Sequence, residues 1–169
     1  MNFKNRMQNI IFTTRSINHA DLIWTNSQYT KGGIEKYYPH RKQKNIYVGD
    51  SDDTSIYRRI DLKETEVEEL KNKIGIKGRF LLFVGTLEPR KNLSFLLKVF
   101  SKLAQTEKEL QLVIVGARGW KNSNIFDIVS QDAVLQQQTV FTGYVSNEDL
   151  VKLYNIADVF VSTSLNEGL

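Results

Sequence analysis

There is no cysteine in the 169 residues, which rules out disulfides and thiolate metal sites alike. Proline occurs only twice. Both copies carry meaning: Pro39 closes a short helical stretch, and Pro89 turns the chain between a strand and a helix. No uncharged apolar run is long enough to span a bilayer. The polar start Met1-Asn2-Phe3-Lys4-Asn5-Arg6 leads into no signal-peptide core, so a cytoplasmic protein is expected. Neither an RNA-binding aromatic signature nor zinc-finger spacing is present, and no nucleic-acid partner is expected. The two histidines, His19 and His40, are too isolated to form a metal site or a catalytic base. No Asp-x-Asp pair stands at a strand end. Asp50-Ser51-Asp52-Asp53 holds that spacing in a turn-rich break, where solvated turn carboxylates are the ordinary reading.

What the chain does contain is enough apolar residue, 41%, for a sizeable core. Its length allows one ordinary domain, or an incomplete large one with the remnant of another. The formal charge of +4 is unevenly spread: through Ile60 there are ten Lys and Arg against five Asp and Glu, and afterwards thirteen against fourteen. The basic third suits plain solubility or an anionic membrane surface touched from outside.

Taken in order, Lys4 to Asn18 reads as a weak helix and Ala20 to Ser27 as a short strand. Ser27 caps a helix that runs through Tyr38. Asn45 to Gly49 reads as another small strand, and a domain boundary is placed at Asp53, giving domains 1–53 and 54–169. Beyond it the pattern is regular. Thr65-Glu66-Val67-Glu68 has capping-box spacing, and Gly75 stops that helix. Phe80-Leu81-Leu82-Phe83-Val84-Gly85 is an apolar run ending at glycine. After it, Leu93, Leu96, Leu97, Phe100, Leu103 and Ala104 repeat at three and four along a helix. Leu110 to Gly116 is a near-continuous apolar strand of the kind buried on both faces. One helix is expected from Ser123 to Gln138, a strand over Thr139 to Gly143, a helix opened by Ser146, and a strand over Asp158 to Ser162. This βαβαβαβ order predicts an α/β fold with a Rossmann-like, doubly wound parallel sheet.

In such sheets ligands sit outside the carboxyl ends of the strands, where Gly85, Gly116 and Gly143 all fall. Each glycine alone also suits an ordinary turn; together they outline one crevice. At the first strand end, Thr86-Leu87-Glu88-Pro89 leads to Arg90 and Lys91 and then to Asn92, read as the N-cap of the next helix. Two cations before a helix N-terminus suit a diphosphate, although a solvated basic pair has the same sequence.

Three blocks, Phe83 to Asn92, Phe141 to Val145 and Ala157 to Leu169, resemble in order and separation the retaining GT-B glycosyltransferases of family GT4. Ala20 to Pro39 is similar to the last part of that family's acceptor-side domain. The resemblance implies a truncated C-terminal nucleotide-sugar-binding domain preceded by the end of the N-terminal domain and hinge. It implies transfer of a hexose, mannose among the options, from a nucleotide diphosphate sugar to a saccharide or lipid-linked acceptor, in polysaccharide biosynthesis. Lys91 matches the lysine on the donor diphosphate, and Arg90 joins it. Many relatives carry an arginine directly after the first glycine, where this chain has Thr86. Glu167 matches the first glutamate of the family's pair, which holds hydroxyls of the sugar; the position of the second falls beyond Leu169. The nucleobase lies against the backbone around Tyr144 and Val145. Cations and helix N–H groups stabilise the departing diphosphate, so no metal or cofactor is expected. The other readings are a non-catalytic nucleotide-binding remnant and a sugar-nucleotide epimerase. A sheet that stops here leaves apolar surface open, so self-association and no transfer by this chain alone are expected.

Overall fold

The structure, a computed structural model, describes residues 3–41, 45–49, 55–119 and 123–167. The chain divides into two compact units, Met1–Asp52 with Glu167–Leu169, and Asp53–Asn166. The Asp50 to Asp53 stretch lies outside the described residues.

The first unit holds α1 (Phe3–His19), β1 (Ile23–Thr25), α2 (Gln28–Tyr37), a 3₁₀ turn over Pro39–Arg41, and β2 (Ile46–Val48). β1 and β2 pair in parallel, with Trp24 opposite Tyr47. β1 is shorter than the apolar stretch from Ala20 to Ser27 suggests, because its three residues are those that find partners on the equally short β2. The Ser27 hydroxyl oxygen accepts the Thr30 N–H at 3.0 Å and caps α2. The helix ends at Tyr37: Tyr38, just before proline, adopts φ −130°, as the proline ring requires of its predecessor.

In the second unit α3 (Glu64–Ile74) precedes β3 (Phe80–Val84), α4 (Leu93–Leu103) and β4 (Gln111–Val115). Then come α5 (Ser123–Ser130), α6 (Ala133–Gln138), β5 (Thr139–Gly143), α7 (Asn147–Ile156) and β6 (Val159–Phe160). Among the described residues the four strands form one parallel sheet in the order β5-β4-β3-β6. Alternation along the strands sends side chains to two apolar layers. Phe83, Leu112 and Ile114 join Leu96, Leu97 and Phe100 of α4 with Ile125 and Leu135 of α5 and α6. Phe80, Leu82, Val113 and Val115 join Leu70 of α3 and Leu153 of α7. Each such buried side chain contributes about 1.5–3 kcal/mol. All five residues of β4 are buried, which explains its lack of polar alternation. Connections through α4, α5 and α6 carry the sheet one way from β3. The α7 connection returns on the opposite face and sets β6 on β3's other side, so the strand order reverses between β3 and β6.

Three local expectations are corrected. The helix expected over Ser123 to Gln138 breaks in two, because the Asp132 carboxylate accepts the N–H groups of Val134 and Leu135 and starts α6 afresh; such a side chain competes with continued helix. Thr65 is not the cap of α3. Glu66 reaches back to the Lys63 N–H at 3.0 Å, so the helix starts at Glu64. β6 stops at Phe160. The chain makes one more bond to the sheet, from the Val161 N–H to the Leu82 carbonyl at 2.8 Å, and then turns toward Pro89–Lys91.

Candidate functional site

Beyond the carboxyl ends of β5, β4 and β3 the backbone continues to pair without side chains in the way. The Gly116 N–H donates to the Gly143 carbonyl at 2.9 Å, and the Gly85 N–H donates to the Val115 carbonyl at 2.8 Å. Gly85 and Gly116 have φ of 155° and 153°, which L side chains rarely adopt. A methyl group at Gly116 would lie 2.1 Å from the Gly85 carbonyl oxygen. The two backbones therefore touch, and the three strand ends form a bare ridge. The Leu87 N–H extends it with a bond to the Ala117 carbonyl at 3.1 Å.

Lys91 closes the 3₁₀ turn Pro89–Lys91, and its side chain lies along Gly85. A Cβ at Gly85 would meet Lys91 Cε at 3.3 Å and Nζ at 3.7 Å. The ammonium thus stands at the carboxyl end of β3, at the switch point. Thr86, the next residue after Gly85, is exposed. Asn92 departs from its sequence reading. It sits in the left-handed region at φ 52°, ψ 36° and makes no side-chain capping bond; an N-cap side chain reaches back only from extended backbone. Its carbonyl does the work, accepting from Phe95 N–H at 3.1 Å, and α4 begins at Leu93 with its positive end behind Lys91.

Arg90 is bound to protein groups. Its Nε and Nη2 donate to Glu88 Oε1 at 3.2 and 2.8 Å, and its Nη1 donates to the Asn166 carbonyl at 2.8 Å. Tyr144 is 80% exposed, free of the core that half-buried Val145 joins. Glu167 is exposed and falls in the first unit, outside the body that carries the other site residues. The structure therefore brings together Gly85, Gly116, Gly143, Lys91 and Asn92, with Tyr144 and Val145 following Gly143.

Sequence reasoning passed over Glu88, Thr163 and Arg118. The Thr163 hydroxyl donates to the Lys91 and Asn92 carbonyls at 3.0 and 3.4 Å. Arg118 stacks over the Phe126 ring, 4.5 Å from its centre. Only the acid–base spacing of Glu88 and Arg90 carried any sequence signal. Among the described residues no group of three or more His, Cys, Asp or Glu is placed to hold a metal ion, and no helix is long and apolar enough to cross a membrane. At the edge of the sheet the Asp158 carboxylate is held toward its ionised form. Hydrogen bonds from Arg79 and the Phe80 N–H lower its pKa, and it anchors the start of β6 rather than the crevice.

A parallel sheet whose order reverses at β3, with a glycine ridge and a lysine there, defines a Rossmann-like α/β domain of the GT-B type. The family model for glycosyl transferases group 1 matches residues 66–169, and the chain belongs to that family. It is 28% identical over 155 residues to the serotype-specific mannosyltransferase WbdA of Escherichia coli, covering 88% of this chain and 18% of that protein. It is 28% identical over 172 residues to the mannosylfructose-phosphate synthase of Agrobacterium fabrum, covering 98% and 37%. The crystal structure of Anabaena HepE in complex with UDP-glucose superposes with a TM-score of 0.72 at 14% identity, over 90% of this chain and 41% of that one. The chain thus spans well under half the length of these relatives.

Proposed function

We propose that the second unit is the donor-binding half of a retaining, GT4-type glycosyltransferase. It takes a nucleoside diphosphate hexose, and the whole enzyme transfers the hexose to a saccharide or lipid-linked acceptor. The observation that carries this reading is Lys91 laid along Gly85 at the switch point. A fixed cation beside bare backbone and a helix N-terminus stabilises charge developing on a departing diphosphate, and does so without a metal. Gly85, Thr86, Gly116, Gly143 and the Asn92 backbone form the floor, Tyr144 and Val145 meet the base, and Glu167 binds hexose hydroxyls. Mannose is favoured because two relatives are named for mannosyl chemistry. In this reading residues 1–53 are the end of the acceptor-side domain. The protein is cytoplasmic, and α1 touches a membrane from the side: it has no acidic residue, and it exposes Met7, Ile10, Ile11 and Phe12. A second reading is a nucleotide-binding module with no transfer of its own.

Calorimetry with UDP and GDP tests the proposal. Lys91→Ala should weaken binding more than tenfold, since a charge-assisted bond in a partly desolvated site is worth roughly 1.5–3 kcal/mol. Equal affinity of variant and parent would remove the diphosphate assignment. Hexose transfer by the isolated chain would remove the second reading.

A further inference from the structure

The resemblance puts Arg90 beside Lys91 on the diphosphate, but three guanidinium donors of Arg90 point elsewhere. Two go to Glu88 Oε1 and one to the carbonyl of Asn166. Two more bonds repeat the link: the Leu165 N–H donates to the Arg90 carbonyl at 2.9 Å, and the Thr163 side-chain hydroxyl donates to the Lys91 and Asn92 carbonyls. Residues 163–166 are therefore tied to 90–92 at Thr163, Leu165 and Asn166. Glu88 has a further effect. Its carboxylate offsets the Arg90 charge at 2.8 Å, which holds the guanidinium to this protein contact.

We propose that Arg90 is a positioning residue rather than a diphosphate ligand. With Glu88 as its anchor it fixes the loop after β6, from which Glu167 follows, against the turn that carries Lys91. The planar fork can hold a carboxylate and a carbonyl at once, which an ammonium cannot do with the same fixed geometry. The strut itself rests on the geometry of residues 88–92 and 163–166. Its consequence for the hexose rests on the donor-binding reading above: Arg90 sets how much affinity the sugar adds, while Lys91 sets the affinity of the nucleoside diphosphate.

The test uses the full chain and its Arg90→Ala, Arg90→Lys, Glu88→Gln and Lys91→Ala variants, with two readouts. In hydrogen exchange, the Leu165 amide should exchange at least tenfold faster in both Arg90 variants and in Glu88→Gln, and at the parental rate in Lys91→Ala. In calorimetry, Arg90→Ala and Glu88→Gln should bind UDP and GDP within about twofold of the parent. The extra affinity of UDP-glucose over UDP, or of GDP-mannose over GDP, should fall at least fivefold. Arg90→Lys should not restore it. The proposal is overturned if Arg90→Ala loses UDP and GDP affinity as Lys91→Ala does and Arg90→Lys recovers it, or if Leu165 exchange is unchanged in all Arg90 and Glu88 variants. A parent that binds neither nucleotide sinks the donor reading alone, and the exchange result then decides the strut by itself.

Discussion

Two parallel sheets are built in this chain, and they differ in what covers them. In the second unit, helices lie on both faces of the sheet, and Phe80, Leu82, Leu97, Leu112, Val113 and Ile114 are at most 0% exposed. In the first, Trp24 and Tyr47 share a face of a two-stranded sheet and are 68% and 51% exposed, and α2 buries no residue. Local rules are obeyed equally in both: Ser27 caps α2 as Ser146 caps α7. The difference is that parallel strands gain stability only when layers close on both faces, and two strands do not make such a layer. Local structure and burial are separate achievements: among the described residues of the first unit, whose helices and strands are formed, Thr25 is the buried one.

The largest expected effect is that of a cavity in the second unit. Leu97→Ala, at a fully buried position of α4, should cost about 2–5 kcal/mol, whereas Tyr37→Ala, at a position 75% exposed, should stay within about 0.5 kcal/mol. Urea denaturation of both variants by circular dichroism checks the pair. Similar losses would mean that the first unit is as well covered as the second.

Gly116→Ala sharpens the contrast at the crevice. The added methyl meets the Gly85 carbonyl, and forcing it in should cost about 1–3 kcal/mol and separate the ends of β3 and β4. The readouts are the urea midpoint and UDP affinity, and loss of both is expected. A variant as stable and as tightly binding as the parent would show that the two backbones do not need to touch.

The smallest effect is a pH dependence confined to the second unit. Bonds from Arg79 and the Phe80 N–H hold the Asp158 pKa below its ordinary value. A lowered folded-state pKa gives stability that is fully present above the unfolded-state value, about 3.9, and is lost as pH falls through the folded-state value. Asp158→Asn should therefore cost about 1 kcal/mol at pH 7, and the gap from the parent should narrow as the pH falls below the unfolded-state value. A gap that stays constant with pH would show that the Asp158 charge contributes nothing.

Much of the second unit was legible in its sequence because burial on both faces leaves an unbroken apolar run. β3, β4 and β5 fall on the stretches that end at Gly85, Gly116 and Gly143, and the α4 face follows the three-and-four repeat from Leu93. What was not legible depends on partners distant in sequence. Arg90 reads as a free cation until Asn166 is brought beside it, and Thr163 has no pattern that announces its bonds to Lys91 and Asn92. Asn92 and Asp132 failed differently: both are good cap residues, and only the backbone conformation decides which one caps. Asp132, extended at φ −125°, does; left-handed Asn92 does not. In the first unit the apolar stretch from Ala20 overstated β1, since strand length is set by the partner.

The most direct measurement is an amide chemical-shift titration of the full chain with UDP and GDP. One or both nucleotides should move the resonances of Gly85, Thr86, Lys91, Gly116, Gly143 and Tyr144 together, along one saturation curve, and Lys91→Ala should shift that curve more than tenfold. Shifts confined to the first unit, or none at concentrations that saturate a millimolar site, would contradict the donor-binding reading.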